Sequence, residues 1–138
     1  MELIQFEEAE SIYKASDLIY KDEVFEIIGI CMEIHRTLGK GFSEVVYKDA
    51  MEYEFKLKRK NYNREKRFDI DYKGYILPHT YHADFVYDNK MILEVKAQQY
   101  VIEDHYQQTI NYLAVSKMKL GLIINFGEDS LKFKRVIL

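Results

Sequence analysis

At 138 residues with a net charge of −3, the chain is long enough to bury a sizeable core. Apolar residues make up 48% and charged residues 31%, which excludes a disordered polar chain, and no apolar run approaches the ~20 residues that cross a bilayer. The single Cys31 cannot form an internal disulfide and no signal-peptide pattern opens the chain, so a soluble protein of the reducing cytoplasm is expected, with no membrane partner.

Residues 1–26 carry eight acids and two bases, a net of −6, so the remaining 112 carry +3. We therefore expect residues 1–18 to form an acidic N-terminal arm, helical over 7–20, ahead of one domain over 19–138. A first amphipathic helix is expected over 22–37, with Val24, Ile27, Ile28, Cys31, Ile34 and Leu38 at helical spacing. Cys31 sits in that stripe and reads as a small buried hydrophobe. Leu38-Gly39-Lys40-Gly41 breaks the helix. A second helix is expected from 42 or 43 to 58, burying Val46, Ala50, Met51 and Phe55. With Gly41 as its N-cap, Glu44 becomes the N3 residue of a capping-box-like turn.

Lys56, Lys58, Arg59, Lys60, Arg64, Lys66 and Arg67 crowd into twelve positions, with Glu65 the one acid among them. Such a run is either a patch that neutralises a phosphate backbone or the solvated end of a helix, where bases complement the helix dipole. The segment to Arg67 is expected to turn into a strand over 68–72. Lys73-Gly74 is a turn signal. A strand over 75–87 follows, with Pro78 suited to an edge or a bulge, and a return strand over 91–97. Asp104 is a reasonable N-cap for a third helix over 105–116, with Ile110, Leu113 and Ala114 on its packed side. Strands over 119–126 and 131–137 close the chain. Helix, helix, three strands, helix, two strands describes an α/β protein: a mixed sheet flanked by helices, with a helical crossover near its middle.

The chemistry concentrates between His82 and Lys96. Two runs of alternating polarity flank Asp88-Asn89-Lys90 and read as a hairpin. Folded about Asn89, Asp84 faces Glu94 and His82 faces Lys96. The opposite face carries Ala83, Phe85 and Tyr87 against Met91, Leu93 and Val95. A slip of one residue turns Asp84 towards the core, so the pattern selects this register. Two carboxylates with Cβ atoms roughly 5 Å apart destabilise a sheet unless a cation sits between them. A divalent metal answers that need, with Lys96 one side chain further along.

Asp-x9-Glu-x-Lys on a hairpin, followed by a helix and a strand, resembles the PD-(D/E)XK nuclease superfamily. More narrowly, Gly41-x-x-Glu44-x-x-Tyr47 resembles the motif of the GxxExxY protein family. That likeness runs from about residue 19 to the C-terminus and takes in His35-Arg36, Tyr72-Lys73-Gly74, Glu94-Val95-Lys96-Ala97 and Gly121 to Gly127. Gln108-x-x-x-Tyr112 is similar to the QxxxY motif of the RecB-like branch, with the pair on one helical face.

The resemblance implies a restriction-endonuclease-like core over 19–138 and a metal-dependent nuclease. Asp84 and Glu94 match its metal-binding carboxylates, and Glu44 the acidic position of the early helix; capping remains Glu44's other reading. Lys96 matches the lysine that orients or activates the attacking water. Gln108 and Tyr112 would hydrogen-bond phosphate or steer Lys96, or else decorate a helix surface. Tyr47 is read as packing or orienting Glu44. His82 departs from the family, which carries Arg there; it contacts phosphate when protonated, supports Lys96 or ligates metal. The implied cofactor is Mg²⁺ or Mn²⁺. The implied partner is nucleic acid, DNA favoured over RNA, gripped by Lys56, Lys58, Arg59, Lys60, Arg64, Arg67 and His82, with a homodimer or larger nuclease complex open. The rival reading is a catalytically silent nucleic-acid- or partner-binding subunit on the same fold.

Overall fold

The computed structural model describes residues 7–8, 19–101 and 103–138, with the backbone alone described at 7–8. Its elements are β1 (Glu7–Glu8), α1 (Lys21–Leu38), α2 (Glu44–Leu57), β2 (Tyr62–Tyr72), β3 (Tyr75–Tyr87), β4 (Met91–Lys96), α3 (Glu103–Ser116), β5 (Leu120–Asn125) and β6 (Lys132–Ile137). They build one mixed sheet in the order β1-β6-β5-β4-β3-β2. β4 and β5 are parallel, joined through α3, and every other pairing is antiparallel.

Central strands buried on both faces read as near-continuous apolar runs, interrupted here by Glu94 and Asn125. Met91 to Val95 and Leu120 to Asn125 are all buried. One face packs α1 and α2 through Ile27, Tyr47, Met51 and Phe55 against Phe85, Leu93, Leu122 and Phe133. The other packs α3 through Tyr112 and Leu113 against Val86, Ile92, Ile123 and Val136. This is the expected α/β layer structure, and the β4–α3–β5 crossover leads from the end of β4 into α3.

The expected hairpin register holds: Phe85 faces Leu93, Val86 faces Ile92 and Tyr87 faces Met91. The turn places Asp88 and Asn89 at φ near +52°, a region those two residue types tolerate. The ladder then ends early. The Asp84 carboxylate, through Oδ2, accepts the Val95 N–H at 2.8 Å. A side chain thus takes the place of a main-chain acceptor and the two strands part, while β4 continues its pairing with β5 as far as Lys96 and Asn125. His82 consequently does not face Lys96; it is exposed and pairs with Arg67 of β2. Ala83 joins the α3-side cluster although Phe85 lies on the other face, so the alternation also breaks at Asp84.

Other expectations shift. β2 begins at Tyr62 rather than 68: the basic stretch alternates Tyr62 and Arg64 inward with exposed neighbours, which an edge strand accommodates. Glu7–Glu8 pairs with β6 as a strand, not as the start of a helix, and the rest of the expected arm helix over 9–18 lies outside the described residues. α3 begins at Glu103 and turns Thr109, Tyr112 and Leu113 inward, which leaves Ala114 exposed. Ser43, not Gly41, is the N-cap of α2, so Glu44 is the first helical residue and the capping-box reading falls. Pro78 does lie where the β2–β3 register shifts.

The loop between α1 and α2 is held by its own motif. Gly41 adopts φ +111°, open to glycine and strained for other residues. Tyr47 is fully buried, stacks on Phe126 at 4.5 Å and donates its hydroxyl to the Gly39 carbonyl at 2.6 Å. Tyr47 therefore packs, and by pinning the loop it sets where Glu44 begins the helix.

Candidate active site

Where β3 and β4 part, Asp84 and Glu94 come together. Glu94 alternates with Leu93 and Val95, so it shares the α3 side of β4 with Ile92. It is only 3% exposed, and its Oε1 has no hydrogen-bond partner. Burial first, and then the neighbouring charge and hydrogen bond of Asp84, push the Glu94 carboxyl well above the usual carboxylate range; Lys96 pulls the other way. A carboxyl desolvated against a second carboxyl is a poor structural choice and a frequent mark of a working site.

Asp84 has its two oxygens committed differently. Oδ2 holds the Val95 N–H, and Oδ1 meets the ammonium of Lys48 at 3.3 Å. Lys48 also reaches Glu65 Oε1 at 2.8 Å. Glu65 lies in β2 between the Arg64–Phe85 and Lys66–Ala83 pairs, in register with Asp84, and at φ +54°. That left-handed conformation costs a non-glycine residue about 1–2 kcal/mol. Such mid-strand strain persists where the surroundings demand it. Sequence reasoning missed both residues as members of the site. Their signals were present: Lys48 is one helical turn beyond Glu44 on the same face, and Glu65 is the lone acid within the basic run.

The other expected residues are placed unequally. Lys96, half-buried at the end of β4, is close enough for its charge to act on Glu94 and on His105. His105 is held below the ordinary histidine range, by burial first and by Lys96 second. Tyr112 is buried against Tyr81, ring centroids 5.1 Å apart. Burial, then the charges of Glu94 and Asp84, push its hydroxyl far above the usual tyrosine range, so it stays a proton donor. Gln108 is exposed one turn earlier on α3. Glu44 is half-buried at the start of α2. Among the described residues no group of three or more His, Cys, Asp and Glu side chains is gathered for a metal, so Glu44 is not drawn into one cage with Asp84 and Glu94.

The basic run is divided rather than presented as one patch. Lys58 pairs with Glu54, Lys60 with Glu26 at 2.7 Å, and Arg64 with Asp49 at 2.7 Å and Glu52 at 3.1 Å. Arg67 pairs with Asp69 at 2.9 Å. Lys56 and Arg59 are exposed beside them, as is His82 on β3. Arg64 serves mainly to brace β2 on α2.

Two carboxylates suffice for the implied cofactor. Mg²⁺ is commonly held by one or two carboxylates, with water and phosphate oxygens completing the shell. The hard oxygens of Asp84 and Glu94, one of them an orphan inside the fold, fit a divalent cation of that kind.

A mixed sheet covered by helices on both faces, with acid, acid and lysine where two central strands diverge, defines a restriction-endonuclease-like α/β protein. A sequence model of the PD-(D/E)XK nuclease superfamily matches residues 21–136, and the chain belongs to that superfamily. No curated protein matches it. Among solved structures it is similar to the crystal structure of SSO0001, with a TM-score of 0.55 and 15% identity, over 86% of this chain and 57% of that one. At that identity the likeness is one of fold. This chain spans little more than half of that protein. No helix among the described residues is long and apolar enough to cross a membrane.

Proposed function

We propose that this protein is a metal-dependent nuclease that hydrolyses phosphodiester bonds in DNA, with Asp84 and Glu94 holding Mg²⁺ or Mn²⁺ and Lys96 positioning the attacking water. The observation that carries this reading is the buried Glu94, its Oε1 unpartnered and its carboxyl pressed against Asp84. When bound, the dication offsets charge on the phosphoryl oxygens and lowers the pKa of a coordinated water. Asp84, tied by Oδ2 to β4, presents Oδ1 in a fixed direction. Lys96 supplies a mobile positive charge that orients water or steadies the growing negative charge at phosphorus. Tyr112, kept protonated, donates a hydrogen bond to a phosphate oxygen, and Gln108 extends that contact outward. Glu44 contributes through water from the start of α2.

Exposed Lys56, Arg59 and His82 follow the backbone. Lys58, Lys60, Arg64 and Arg67 add to binding only in so far as they leave their carboxylate partners. The Gly41, Glu44, Tyr47 and Gln108, Tyr112 spacings support a place near the GxxExxY and RecB-like branches. The single cysteine, Cys31, is free and buried, which accords with a cytoplasmic location.

One observation favours a second reading, a catalytically silent binding subunit: Lys48 already neutralises Asp84. A cleavage panel separates the two. Single-stranded, duplex and branched DNA and RNA are incubated with Mn²⁺ or Mg²⁺, with Lys96→Ala as control. Cleavage by the native chain that the variant lacks, greatest on DNA, supports the nuclease. Binding without cleavage on every substrate supports the silent subunit, and equal cleavage by Lys96→Ala removes the role given to Lys96.

A further inference from the structure

We propose that Lys48 is the resident counter-ion of the metal seat: its ammonium neutralises Asp84 until a divalent cation takes Oδ1, and Glu65 is the berth that receives it. This rests on the reading that Asp84 and Glu94 hold the dication, and it adds two residues that neither the superfamily motif nor the sequence assigned to the site.

Three observations carry it. The ammonium lies 3.3 Å from Oδ1, the Asp84 oxygen left over once Oδ2 has taken the Val95 N–H. It lies closer to Glu65, at 2.8 Å, so the stronger tether is the one away from the seat. Glu94 Oε1, deep in the fold and without a partner, marks a position that an ammonium on Asp84 leaves unanswered and a dication answers. The pair is also sheltered, with side chains 14% and 15% exposed, so screening by water is reduced.

Charge makes the two occupants exclusive. A dication on Oδ1 would stand a few ångströms from the Lys48 ammonium, where like charges repel strongly in a partly buried setting. Lysine suits the displaced role: its compact charge sits on a flexible stem, so the head can swing while α2 stays fixed. Glu65 holds the other end. Its left-handed backbone, in register with Asp84, is the local distortion that goes with a glutamate turned to meet α2 rather than continuing the pleat. The metal-free site is thereby close to neutral, and the fold needs no metal to tolerate Asp84.

Lys48 and Glu65 are positioning residues, and their variants move metal affinity in opposite directions. Mn²⁺ affinity is measured by titration calorimetry on the full chain, without nucleic acid. Lys48→Met, nearly isosteric and uncharged, should bind Mn²⁺ about tenfold more tightly or better, because a competing charge is gone. Glu65→Gln should bind more weakly by a similar factor, because Lys48 then has Asp84 alone to rest on. In the double variant the Glu65→Gln effect should vanish, since Glu65 acts through Lys48. Unfolding of each metal-free variant is followed in parallel; the single Lys48→Met chain should be less stable than the native one and should gain more from Mn²⁺.

Weaker or unchanged Mn²⁺ binding in Lys48→Met overturns the proposal. A Glu65→Gln loss that persists in the double variant also overturns it, and makes Glu65 a metal ligand instead. If neither the native chain nor Lys48→Met binds Mn²⁺, the metal site itself falls and this inference with it.

Discussion

Replacing Glu94 by glutamine keeps shape and volume and removes one buried ionisable group. In the native chain the folded carboxyl has its pKa raised by burial and by Asp84. A group whose folded pKa lies above its unfolded one contributes stability at low pH that is lost as pH rises. The window opens near the unfolded glutamate value of about 4.3 and closes at the raised folded value. Within it the metal-free native protein should lose about 1.4 kcal/mol per pH unit relative to Glu94→Gln. For a chain of this size each kcal/mol moves Tm by about 4 °C. Glu94→Gln should therefore match the native chain near pH 4 and be the more stable of the two at pH 8. Urea unfolding in a chelator across that range measures it. Parallel stability curves, or a variant less stable at every pH, would refute the desolvated-carboxyl reasoning.

Four further outcomes come from the packing and the charges. Gly127→Ala places a Cβ within 2.3 Å of the Gln98 backbone, which cannot yield as a side chain would; thermal unfolding should show a loss of about 3 kcal/mol or more. Tyr47→Phe removes the hydroxyl that holds the Gly39 carbonyl at 2.6 Å, and chemical denaturation should register about 1–2 kcal/mol. Lys56→Gln with Arg59→Gln should flatten the salt dependence of DNA binding by about 2 in log–log slope, read by fluorescence anisotropy. Arg64→Gln, whose charge is spent on Asp49 and Glu52, should leave that slope alone and cost about 1 kcal/mol or less in stability.

The hairpin was readable because period-two alternation admits one register, and Phe85, Val86 and Tyr87 meet Leu93, Ile92 and Met91 as the pattern required. The first helix was readable because its apolar stripe buries on the side the spacing indicated, at Val24, Ile27, Ile28, Cys31 and Ile34, whereas the third turns Thr109, Tyr112 and Leu113 inward and leaves Ala114 exposed. What the pattern could not express was a side chain acting as backbone. Asp84 takes the Val95 N–H, and with that one bond the ladder ends, His82 swings clear of Lys96 and the site opens. Charge in sequence was equally ambiguous. The basic run looked like one patch because Glu26 of α1 and Asp49 and Glu52 of α2 meet it only in the fold; Glu54, one turn before Lys58, is by contrast a local partner. Lys48 escaped notice for the same reason: its partners, Glu65 and Asp84, arrive from two strands that only the fold sets side by side.

Whether Asp84 and Glu94 together hold a dication is tested most directly by counting bound Mn²⁺ by electron paramagnetic resonance in the native chain, Asp84→Asn and Glu94→Gln. The native protein should bind one Mn²⁺ and each folded variant none at the same free concentration. A native chain that binds no Mn²⁺, or a Glu94→Gln chain that binds it as fully as the native one, would contradict the site described above.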